Sequence, residues 1–101
     1  MMCTYRNGAW EEPEIKPYGP ISISPAMHTL HYGQALFEGQ KAYYMQNGSI
    51  GIFRPDMNAK RLNHSAKRMF MPEFPEEWFV DGIQNLVEID KAWVPKKEGH
   101  S

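Results

Sequence analysis

Two periods of apolar and polar residues run along this chain, and the switches between them mark its expected elements. Period two occurs at Thr4-Tyr5-Arg6, at Ile21-Ser22-Ile23-Ser24, and in the neighbouring runs 41–45 and 49–53, each of which predicts a strand. The first run breaks at Asn7-Gly8, and the last two are joined through Gln46-Asn47-Gly48. Asn-Gly tolerates positive φ and is a hairpin signal, so Trp10 is expected on a returning arm and residues 41–53 as a second hairpin. Steps of three and four then take over. Ala59, Leu62, Ala66 and Met69 predict a helix opened by Pro55. Phe79, Val80, Ile83, Leu86 and Val87 predict another, from Glu76 and Glu77 to about Val94, with Pro95 as its stop. A shorter helix is expected over Ala26–Tyr32, behind Ser24 as N-cap and Pro25, ending at Gly33. Between Glu11 and Pro20, three prolines and Gly19 predict an extended connection, and the polar end from Lys96 to Ser101 predicts a turn. The expected fold class is α+β: a small antiparallel sheet with two main helices packed on one side.

Composition narrows the function classes. The 101 residues suit one domain, 1–101, with a modest core. A formal charge of -1 argues against a general nucleic-acid binder, and no apolar run approaches the ~20 residues of a membrane helix. The first ten residues lack the basic and apolar regions of a secretory signal, so the cytoplasm is the default location. A single cysteine, Cys3, allows neither an internal disulfide nor a cysteine metal cluster.

Few residues carry candidate chemistry. Arg54 stands at a strand exit before a helix start, where its planar fork suits a phosphate; the competing expectation is a surface arginine paired with Asp56. Tyr32 and Phe37 flank Gly33 and suit either a small-molecule pocket or the core. Glu38 reads equally as a buried hydrogen-bonding partner or a surface acid. His28 and His31 are three apart, but no third ligand stands at a useful distance, so no metal site is expected. His64 lies on a basic helix face without interleaved aromatics, a solvated surface. Of the seven lysines only Lys41 is near the aromatic cluster, and alternation would let it face solvent. No phosphate-loop, dinucleotide, nucleophile-elbow or C-x-x-C motif occurs.

The stretch LHYGQALFEGQKAYY, followed by NGSIGIFRPDMNAKRLNHSAKRMFMP, resembles the branched-chain amino acid aminotransferases. TYRNGAWEEPEIKPYGPISISPAMH extends the resemblance towards the N-terminus, and it covers essentially the whole chain. It implies the N-terminal small domain of a pyridoxal 5′-phosphate enzyme that exchanges amino groups between leucine, isoleucine or valine and 2-oxoglutarate. The FRP arginine implies a cofactor-phosphate contact at Arg54. The HYG and FEG motifs imply a substrate-pocket wall at Tyr32, Phe37 and Gly39, the tyrosine acting across a dimer interface. At Ala35 and Gln40 the chain departs from the commoner glycine and leucine or methionine. The family's cofactor-bearing lysine lies in a second, larger domain, and none of the seven lysines matches it. A fragment inactive alone is therefore expected, with branched-chain amino and 2-oxo acids and a second copy as partners of the intact enzyme. The alternative expectation is a non-catalytic dimerisation module.

Overall fold

A computed structural model describes residues 1–97 and His100, so part of the expected terminal turn lies outside the described residues. The chain opens with β1 (Tyr5–Arg6) and β2 (Ala9–Trp10), antiparallel in the register Tyr5 opposite Trp10. Asn7 and Gly8 both take positive φ, the two-residue turn their sequence asks for. Paired backbone bonds between Met2 and Glu14 prolong this arm. The arm docks through aromatics: Trp10 meets Tyr5 edge-on at 5.1 Å and Phe74 at 5.0 Å, and its indole N–H donates to the Glu73 carbonyl at 2.7 Å.

A short helix follows, α1 (His28–Tyr32), then β3 (Ala42–Tyr44) and β4 (Ile50–Ile52), paired antiparallel. Their turn closes with the Gly48 N–H on the Met45 carbonyl at 2.9 Å. Gly48 is left-handed at φ 80°, a bulge that only glycine adopts freely. Two 14-residue helices complete the chain, α2 (Pro55–Arg68) and α3 (Glu76–Ile89), packed on each other. On α2, Ala59, Asn63 and Ala66 recur at helical spacing and are buried. On α3 the expected stripe is half-buried, and Gly82, costly in a helix interior, is buried with the flexible end of Met1 packed into the space a Cβ would take.

The α+β class is as expected, although the strands form two separate two-stranded ladders. Three expectations are corrected. Ile21–Ser24 is not a strand: its alternation is real, but among the described residues no neighbouring strand completes a ladder, and both isoleucines stay exposed. The short helix begins at His28, because Ser24 closes a turn over Pro25 and Ala26 instead: its carbonyl accepts from Met27 N–H and its hydroxyl from Ala26 N–H. The last helix ends at Ile89, five residues before Val94, where bonding tightens into a 3-10 turn over Lys91–Trp93. At the other end of α2, Met71 N–H bonds to the Ala66 carbonyl and Phe70 N–H to that of Lys67, a Schellman closure. Phe70 fills the left-handed position that usually takes glycine, at φ 53°.

Candidate functional site

The expected site residues fall into two groups around the start of α2. Arg54 is the N-cap residue of α2, exposed and left-handed at φ 46°, ψ 58°. A non-glycine residue there is strained, and such strain tends to sit where a side chain must be aimed. Pro55 locks the first helical position behind it. Among the described residues Arg54 makes no ion pair, with Asp56 or any other acid. Arg54 thus brings a cation without an ion-pair partner among the described residues to the cap of a 14-residue helix, a position suited to a phosphate.

Phe37 and Gly39 lie on the segment between α1 and β3. They share an open recess of about 550 Å³ with Gln40, Lys41, Tyr43, Asn58 and Phe53, the residue before Arg54. The Phe37 ring is 93% exposed, so it projects as a rim and is not core. Tyr32 is not part of this recess. It ends α1, 79% exposed, with its ring edge-on to His28 at 5.4 Å. The structure thus brings Phe37 and Gly39 together in one recess with Phe53 and Asn58, the sequence neighbours of Arg54 along the start of α2, and leaves Tyr32 facing outward. His28 meets Gln34 Oε1 at 3.0 Å, and Gln34 in turn donates to the Met69 carbonyl, which ties α1 to the end of α2. Lys41 is exposed at the recess edge.

Glu38 resolves as a buried partner. Its side chain is 8% exposed and accepts from Asn58 Nδ2 at 2.8 Å, from Arg61 Nε at 2.9 Å, and from Arg61 Nη2. Asn58 Nδ2 also donates to the Gly39 carbonyl at 3.1 Å. The hydrogen bonds from Arg61 are the main reason the Glu38 carboxyl is held below its usual value, against burial, which pushes it up. A carboxylate with a lowered folded pKa stabilises fully above its unfolded value, about 4.3, and loses that contribution as pH falls through the lower folded value. Thermal melts from pH 7 to pH 3 should therefore show an acid loss that Glu38→Gln flattens; parallel profiles would remove this role.

Sequence reasoning missed two features here. One is Gln40, whose amide nitrogen and oxygen are both shielded from solvent without a partner among the described residues. The other is Asn63, 7% exposed, which donates to the Phe74 carbonyl at 2.9 Å and accepts from Phe74 N–H at 2.8 Å. The available signal was Asn63's place on the apolar stripe of α2, where a polar residue needs buried partners.

No protein-family model matches the chain. Curated relatives do. It is 48% identical over 98 residues to branched-chain-amino-acid transaminase 1 of Bacillus subtilis, covering 96% of this chain and 28% of that protein. It is 51% identical over 92 residues to a probable branched-chain-amino-acid aminotransferase of Staphylococcus epidermidis, 91% of this chain and 25% of the relative. A branched-chain-amino-acid aminotransferase of Mycolicibacterium smegmatis matches at 48% over 90 residues, 89% and 24% of the two chains. The chain spans about a quarter of the length of the curated relatives it matches. By sequence it is similar, over nearly its whole length, to branched-chain-amino-acid aminotransferases.

Proposed function

We propose, from that kinship, that the chain is the N-terminal small domain of a branched-chain amino acid transaminase and contributes part of a pyridoxal 5′-phosphate site. In this reading Arg54 binds the cofactor's phosphate, while Phe37 and Gly39 bound the substrate's side chain. Tyr32, turned outward on α1, serves the pocket of a second copy. The observation that carries the reading is Arg54 itself: exposed, strained, without an acidic partner among the described residues, and set at a helix N-terminus directly after Phe53, which lines an aromatic recess. Those features fit a phosphate-bearing group. Pyridoxal phosphate, when bound, supplies the electron sink for amino-group exchange. This chain's residues do the holding: the guanidinium neutralises the phosphate, and the Phe37 rim excludes water from one side of the recess.

The remaining chemistry, including the lysine that carries the cofactor, is assigned to the three-quarters of the relatives' length that this chain does not match, so the chain alone is inactive. Leucine, isoleucine, valine and their 2-oxo acids are the substrates of the whole enzyme in this reading. Among the described residues no helix is long and apolar enough to cross a membrane, and the proposed setting is the cytoplasm.

The test is a titration with pyridoxal 5′-phosphate, pyridoxal and inorganic phosphate, for the native chain and Arg54→Gln. Charged hydrogen bonds to phosphate contribute about 1.5–3 kcal/mol, so the substitution should weaken both phosphate-bearing ligands by roughly 10- to 100-fold and leave pyridoxal unaffected. Equal affinities in the two proteins would refute the role of Arg54.

A further inference from the structure

Residues 35–41 belong to no ladder or helix and, among the described residues, make no backbone hydrogen bond to another segment. Yet exposure changes abruptly along them: Phe37 and Gly39 are exposed, and Glu38 between them is buried. What stakes the segment down is the Glu38 carboxylate, held by Arg61 through two nitrogens and by Asn58, which also reaches the Gly39 carbonyl. Both partners stand on α2, the helix that begins at Arg54. Asn58 and Arg61, three residues apart, share one stripe of that helix, and Arg54 is its non-helical N-cap. The buried set Ala59, Asn63 and Ala66 forms a different stripe, turned towards the core.

We propose that Glu38, Asn58 and Arg61 form a latch whose task is to fix the Phe37–Gly39 rim at a set span from Arg54. Glu38 is a positioning residue and makes no contact with ligand. One rigid helix carries the anion grip at its N-terminus and the rim's anchor within two turns, about 10 Å along its axis. The ligand class is a small molecule with a phosphate at one end and a flat or apolar body at the other. The latch makes its binding depend on both ends at once. The ligand part of this inference rests on the reading of Arg54 given above, whereas the latch itself can be tested without any ligand.

The experiment measures backbone amide order parameters by NMR relaxation, residue by residue, on the native chain, Arg61→Gln, Arg61→Lys and Glu38→Gln. Arg61 is exposed on the helix surface, so Arg61→Gln removes the latch without touching the core. Order parameters at Gly39, Gln40 and Lys41 are expected to fall from the rigid range, about 0.85, to below about 0.6 in Arg61→Gln and Glu38→Gln, with Ala59 and Ala66 unchanged. Arg61→Lys, which keeps the charge but loses the fork, should recover part of the order. A purely structural tie would loosen rim and core together, and that result, like unchanged order at the rim, overturns the latch. In the ligand arm, Arg61→Gln should lose affinity for pyridoxal phosphate several-fold while inorganic phosphate, which reaches only Arg54, binds as before. Equal losses for both ligands overturn the span. Binding of neither ligand by the native chain would sink the Arg54 reading and the span with it, and leave the relaxation result to decide the latch.

Discussion

Replacing Asn63 with aspartate is expected to cost about 3 kcal/mol of stability at neutral pH, a large fraction of the roughly 5–15 kcal/mol that keeps a domain folded. The asparagine side chain imitates a peptide group, donating to the Phe74 carbonyl and accepting from its N–H. Aspartate keeps the acceptor but turns an oxygen towards a carbonyl, and it brings a charge into a site 7% exposed. Phe74 also meets Trp10 and Trp78 edge-on, so loosening it should release the N-terminal arm from the linker between α2 and α3. The sign of the pH response follows from burial, which raises the new carboxyl's pKa. Acid would return a proton, and with it the lost donor, so the penalty should shrink as pH falls through that raised value. Urea unfolding at pH 7 and pH 4.5 measures both effects. A penalty below about 0.5 kcal/mol would mean that the amide pair is not a keystone of the linker.

The chain on its own is also expected to associate with itself. Its accessible surface is 8367 Å², whereas a compact monomer of this mass exposes about 5,900 Å². Its radius of gyration is 15.5 Å, against roughly 13 Å for a compact chain of this length. The surplus is rich in aromatics: Tyr18, Phe37, Phe53, Phe70 and Trp93 are nearly bare. Phe70 is strained as well as exposed, which adds to the case that this surface meets something. Each two-stranded ladder leaves open edges besides, and such edges pair readily. Light scattering across concentration should give a mass above that of one chain, rising with concentration. A clean monomer throughout would contradict this.

The features that could be read from the residues were those set by near neighbours. Asn7-Gly8 and Asn47-Gly48 dictate their hairpins from within, and the three- and four-residue spacing of α2 and α3 carries its own evidence. Ile21–Ser24 has equally clear alternation, but a strand exists only where another accepts its hydrogen bonds, and alternation cannot supply that partner. Glu38 was undecidable for the same kind of reason, because its fate rests on Asn58 and Arg61, 20 and 23 residues away. Arg54 could be suspected from its place at a strand-to-helix junction, yet only its strained backbone and the absence of an ion pair to Asp56 separate a poised cation from a solvated one. Gln40 looked like a small departure in a motif. Its shielded amide makes it the place where the recess most needs a hydrogen-bonding partner.

The central claim is that this chain holds one end of a pyridoxal phosphate site and lacks the lysine that completes it. The most direct measurement is saturation of the 101-residue protein with pyridoxal 5′-phosphate, borohydride reduction, and mass spectrometry of the peptides. The account predicts reversible, Arg54-dependent binding and no stoichiometric adduct on any one of the seven lysines. A single stoichiometric adduct at one lysine, accompanied by transamination of leucine, would contradict it and show that this short chain builds a whole site.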